Sequence, residues 1–134
     1  MTFADAIAVN TPAGTAEARL FVAPGADYLL DHFPGAPMLP GLVMLEAAVR
    51  AAAALCHARH ASSGPEPTLD RVDRLHVLRR VLPGETLRVR ADLVEATTDR
   101  HTACFSARAD VAGETAMRAR FRLRLPDRPL NLEP

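Results

Sequence analysis

Asp31-His32-Phe33-Pro34-Gly35-Ala36-Pro37-Met38-Leu39-Pro40-Gly41, followed directly by the helical segment Leu42–His60, is the stretch on which the fold turns. Three prolines fix φ and stiffen the loop. Pro40 suits the position just ahead of a first helical turn, and Gly41 permits close backbone approach. The helix that follows is expected to run about 20 residues, or ~30 Å at 1.5 Å per residue. Before its last turns its only charged residues are Glu46 and Arg50. A helix that is apolar nearly all round belongs in a core, and a carboxylate there is costly unless it is used or paired.

Composition narrows the classes. The 134 residues suit one domain, read as 1–134 with a loose Pro-rich tail over 126–134. Hydrophobic residues make up 49% but aromatics only 4%, so the core must be built from Ala, Leu and Val packed closely. Formal net charge is zero, which gives no bulk electrostatic case for nucleic acid or a membrane surface. Every basic residue other than His is Arg, as expected of a GC-rich genome. Cys56 and Cys104 lie far apart without CxxC spacing, so the reading is small core residues in a reducing cytoplasm. No basic-plus-apolar leader opens the chain. The apolar helix is Ala-rich and carries Glu46 and Arg50, so it reads as a core helix and not a membrane span.

Around that helix the remaining sequence is β-rich. Residues 6–10 suit a short strand, and Thr11-Pro12-Ala13-Gly14 a turn. In Thr15–Ala23, Ala16, Ala18, Leu20 and Val22 share one face and Glu17, Arg19 and Phe21 the other. After the loop 61–67, Leu69–Val81 reads as one extended segment and Pro83-Gly84-Glu85 as a turn. Thr86–Ala96 turns Leu87, Val89, Ala91 and Leu93 inward; His101–Val111 does so with Ala103, Phe105, Ala107 and Ala109. In Met117–Leu125, five apolar residues alternate with Arg118, Arg120, Arg122 and Arg124. A two-residue turn at Ala112-Gly113 would set inward Ala107 opposite outward Arg118, so a three-residue loop or a bulge is expected there. The sum is an α+β fold in which a curved antiparallel sheet wraps one long helix.

His32 and Glu46 flank Gly41, whose N–H is expected among the free donors at the helix start. A base, an oxyanion donor and an acid are the parts for proton abstraction beside a carbonyl. Burial would raise the pKa of Glu46 and favour the protonated acid. Spacing alone leaves a structural and a catalytic pair both open.

The segment Asp31–Ala47 resembles the signature of β-hydroxyacyl-acyl-carrier-protein dehydratases, G-H-F-P-x-x-P-x-x-P-G-V-L-x-x-E-A, and Val81-Leu82-Pro83-Gly84-Glu85-Thr86-Leu87 resembles that family's V-x-P-G-D-x-L. The resemblance spans roughly residues 28–125. It implies the hot-dog fold and loss of water from a 3-hydroxyacyl thioester to give the trans-2-enoyl product. His32 matches the family's catalytic His, Glu46 its catalytic Glu, and Gly41 the residue whose N–H holds the thioester carbonyl. It further implies a dimer with sites shared between chains, no metal or redox cofactor, and a substrate on the phosphopantetheine of acyl carrier protein or coenzyme A. Phe33, Pro34, Met38, Leu42 and Arg50 are the candidate substrate contacts. Core packing is the plainer use of Phe33, Met38, Leu42 and Met44.

Three departures from the family pattern matter. Asp31 replaces Gly before His32, where a carboxylate can raise the imidazole pKa or orient its ring. Arg50 replaces Gln, and an i,i+4 pair with Glu46 would favour the ionised carboxylate. The family's Pro-His-Arg helix is missing from the N-terminal region. A specialised relative in a polyketide-type pathway and a non-catalytic homologue or partner subunit, possible in a heterodimer, both fit. So does a thioesterase on the same fold, with Glu46 activating water. His57 and His60 form an HxxH without further zinc ligands and read as helix C-terminal cations. The arginine row reads as a solvated outer face with Asp92 and Asp110 as partners, or as a seat for an acidic carrier protein or a phosphate.

Overall fold

The computed structural model describes residues 6–26, 38–60, 66–96 and 101–126. The tail over 127–134 lies outside them. Strands β1 (Ala6–Asn10) and β2 (Thr15–Phe21) precede the helix α1 (Gly41–His60). Strands β3 (Thr68–Val77), β4 (Thr86–Ala96), β5 (Thr102–Val111) and β6 (Glu114–Arg124) follow it. All pairs are antiparallel and form one six-stranded sheet in the order β1-β2-β4-β5-β6-β3. The helix touches every strand and packs most heavily on β4 and β2, which requires the sheet to curve around it.

The alternation read from the sequence sets the two sheet faces. Leu87, Val89, Ala91, Ala103, Phe105, Ala107, Ala109, Met117, Ala119, Phe121 and Leu123 are all buried. Phe105 and Phe121 lie opposite each other across β5 and β6 and stack at 5.8 Å between ring centres. Against this face α1 sets Ala47, Ala48, Ala51, Ala52 and Leu55, each fully buried. Small residues let helix and sheet approach closely, which is how a core poor in aromatics fills its volume.

The parity conflict in the last hairpin is resolved by a bulge. Ala112 and Gly113 form a two-residue turn with φ of 51° and 84°, the left-handed pair that matches hairpin twist. Register then slips between Ala109, opposite Met117, and Asp110, opposite Thr115, leaving Ala116 as the extra residue. The slip puts Ala107 opposite Ala119 and restores both faces. It also ends β3 early. The Ala116 carbonyl accepts from the N–H groups of Leu78 (2.7 Å) and Arg79 (3.4 Å), so the chain leaves the ladder after Val77 and does not run on to Val81. The strand β2 likewise stops at Phe21, short of Ala23.

The arginine row takes different partners from those expected. Arg122 and Arg124 both reach Asp70, at 2.6 and 3.4 Å, whereas Asp92 pairs with Arg90 and Asp110 with Arg108 on their own strands. The cause is the pairing of β3 beside β6: bulges around Asp70 and Asp73 re-aim that edge, and Asp70 meets the arginines of its neighbour.

Candidate active site

The entry to α1 is pinned from below. The Leu39 N–H donates to the Val81 carbonyl at 2.9 Å, and the Leu39 side chain is buried. The Pro40 carbonyl accepts from the N–H groups of Val43 (3.0 Å) and Met44 (3.3 Å), so the helix begins at Gly41. A Cβ at Gly41 would lie 2.7 Å from Val77 Cγ2, so any larger residue here would have to displace the Val77 side chain or lift the helix start from β3. Among the described residues the N–H groups of Gly41 and Leu42 have no partner, as the first turn of a helix dictates. Two free donors therefore stand at the positive end of the helix.

Residues four apart share a helix face, and Leu42, Glu46 and Arg50 form one stripe. This stripe is open. Leu42 is 71% exposed, and the side chains of Glu46 and Arg50 are 43% and 48% exposed. The expectation that Glu46 is buried in the chain's own core is corrected here. The sheet covers one side of α1, and Leu42, Glu46 and Arg50 lie on the other. Leu42 is likewise not a core residue, Met38 is half-buried, and Met44 is fully buried. The expected ion pair is present: Arg50 Nε donates to Glu46 Oε2 at 3.0 Å. Of the sequence-predicted residues, then, Gly41, Leu42, Glu46 and Arg50 come together along the first turns of one helix. His32, Phe33, Pro34 and Asp31 lie outside the described residues.

One supporting group was not read from the sequence. Arg79 Nη2 bonds both carboxylate oxygens of Glu85, at 2.8 and 3.1 Å, and Arg79 Nη1 reaches Glu114 at 3.3 Å. Glu85 Oε1 also accepts the Leu82 N–H at 2.9 Å, closing the turn 82–85. That N–H, with help from the Arg79 guanidinium, holds the Glu85 carboxyl below the usual glutamate range. The clamp fixes the segment that carries Val81, whose carbonyl holds Leu39 and hence the start of α1. The Pro83-Gly84-Glu85 motif was the available signal; its purpose became visible only through Arg79.

Other candidates resolve simply. Burial pushes the Cys56 thiol up to about 11, so it is an unreactive core residue at neutral pH. Cys104 is a free, half-buried thiol. Among the described residues no three His, Cys, Asp or Glu side chains cluster as a metal would require. The segment Gly41–Arg59 is apolar and long enough to cross a membrane, yet its alanine face is packed against the sheet.

The order of elements and strands defines a hot-dog fold, and solved structures share it. A chain of the dehydratase heterocomplex ApeI:P from Xenorhabdus doucetiae aligns with a TM-score of 0.60 and 20% identity, over 90% of this chain and 96% of that one. A thioesterase-like phenylacetic acid degradation-related protein from Ralstonia eutropha aligns at 0.70 and 21% identity, over 88% and 81%. At such identities these likenesses speak for the fold alone. The sequence narrows the class: residues 8–117 match the ApeI-like family model, ApeI dehydratase, and the chain belongs to that family. It is also 33% identical to the 3-hydroxyacyl-[acyl-carrier-protein] dehydratase FabZ of Haemophilus influenzae over 91 residues, 67% of this chain and 60% of that protein. The chain spans about half the length of the curated relatives it matches first.

Proposed function

We propose that this protein is a dehydratase that eliminates water from 3-hydroxyacyl thioesters. One observation carries the reading. In a chain of the ApeI-like family, Glu46 lies on an uncovered stripe of α1, one and a half turns from the N–H groups of Gly41 and Leu42, which have no partner among the described residues. His32 takes the C2 proton, and the electron pair left behind forms the C2–C3 double bond. The C3–O bond breaks, and the hydroxyl departs as water with a proton from Glu46. The Gly41 N–H holds the thioester oxygen while negative charge develops on it. Electrons stay within the substrate throughout, so the scheme calls for no redox group or metal. The acyl group arrives on the phosphopantetheine of acyl carrier protein or coenzyme A, in fatty-acid or polyketide-type synthesis.

A second copy of the chain completes the site in this reading, with His32 of one subunit facing Glu46 of the other. Support comes from what the chain leaves bare around the helix start: Leu42 at 71%, Leu78 at 54% and Val77 at 51% exposure. A heteromeric assembly is the alternative partner arrangement, favoured by the heterocomplex in which the Xenorhabdus chain is found. The two free thiols fit a reducing cytoplasm.

Incubating the purified chain with a panel of 3-hydroxyacyl-carrier and coenzyme A thioesters tests the proposal. The trans-2-enoyl thioester is the expected product, and His32→Ala abolishes its formation. Free acid would make the chain a thioesterase instead. Turnover only after a second, different chain is added would make it one half of a heteromer.

A further inference from the structure

On the face of the sheet turned away from α1, two rows of side chains run across the strands. In the first, Arg90, Arg108, Arg118 and His76 lie directly opposite one another on β4, β5, β6 and β3. In the second, two residues further along, Asp92, Ser106, Arg120 and Arg74 do the same. Between them lies a polar cleft of about 570 Å³. Like charges set directly opposite across strands cost stability, and on this face Arg122 and Arg124 are compensated by Asp70. Here Arg90 and Arg108 each have an Asp on their own strand, at 3.0 and 3.5 Å. Arg118, Arg120, Arg74 and His76 have no acidic partner among the described residues.

We propose that this face is a docking surface for an acidic α-helix of a partner protein, laid across β5, β6 and β3 in the furrow between the two rows. Two features select that occupant. Side chains on one face of a sheet stand roughly parallel, so these guanidinium groups form lines of charge and do not converge on a point anion such as one phosphate. Adjacent strands are about 4.8 Å apart, so across β5, β6 and β3 each row spans ~10 Å. Carboxylates at i, i+4 and i+7 on a helix span ~10 Å at 1.5 Å per residue, with neighbours 5–6 Å apart. The match is strand for turn. The proposal does not rest on the dehydratase reading, because the surface lies on the opposite side of the sheet from Glu46.

Binding of labelled helical peptides to the whole chain, followed by fluorescence anisotropy at low salt, tests it. One peptide carries Glu at i, i+4 and i+7; its control has the same composition with those residues scattered around the helix. The aligned peptide is expected to bind at least tenfold more tightly than the control. The double variant R118Q/R120Q is expected to lose at least tenfold of that binding while melting no lower than the parent, since the like charges removed have no acidic partner among the described residues. Equal binding of both peptides, or undiminished binding by the variant, overturns the proposal. Tighter binding of duplex DNA or phosphatidylglycerol vesicles than of the aligned peptide overturns it too, as does self-association abolished by R118Q/R120Q.

Discussion

The two sides of α1 are made from the same stretch of chain and do opposite things. Ala47, Ala48, Ala51, Ala52 and Leu55 are sealed against the sheet, whereas Leu42, Glu46 and Arg50 stand open. The sealed side has little freedom: its residues are small because the sheet comes close, and any added volume must displace the sheet. The open side holds the only carboxylate of the helix, a pair of backbone donors without a partner among the described residues and a large exposed leucine. Stability is concentrated on the sealed side, and the proposed chemistry on the open one.

Substitutions can break that division, the largest effect coming from the open side. Glu46→Gln is expected to lower dehydration by about 10²–10⁴-fold while leaving the thermal midpoint in place. Equal loss of folding and activity would instead mean that Glu46 is a structural residue. Ala51→Leu, on the sealed side, is expected to cost about 1–3 kcal/mol by overpacking, read from the shift in denaturant midpoint. An unchanged midpoint would mean that the helix does not sit as closely as its alanines imply.

Glu85→Gln probes the support beneath the site, at an expected cost of about 1 kcal/mol near neutral pH for a partly exposed, charge-assisted clamp. Its pH dependence has a definite sign. The Glu85 carboxyl is held below the usual range in the folded chain by the Leu82 N–H and Arg79. Its contribution is therefore full above the unfolded glutamate pKa of about 4.3 and is lost as pH falls through the lower folded value. Denaturation curves of parent and variant should accordingly converge as pH drops below about 4; a gap that persists there would assign the effect to packing. The smallest change is expected from Arg50→Gln, which releases the pair at 3.0 Å and should leave activity equal or higher. A marked loss would place Arg50 on the substrate.

The difference between the two sides was only partly legible in the sequence. Strand faces were readable because alternation has a period of two. The clash between Ala107 and Arg118 even required the irregularity that Ala116 supplies. The openness of the Glu46 stripe was not readable. With alanine filling most of the helix, apolar residues surround it on every side, and nothing in their spacing says which side the sheet will take. Asp70 as partner of Arg122 was hidden for another reason: the two residues lie 52 positions apart and meet only because β3 closes the sheet beside β6. Glu85 was in view as part of a turn motif, but Arg79 gave it its role.

Mixing two inactive variants, His32→Ala and Glu46→Gln, under conditions that allow subunit exchange tests the central claim most directly. If each site draws its imidazole from one chain and its carboxyl from the other, mixed dimers regain one intact site. Activity should then return to roughly a quarter of the parent level, for random pairing in a two-fold dimer. A mixture no more active than either variant alone would contradict a site shared across the open side of the helix.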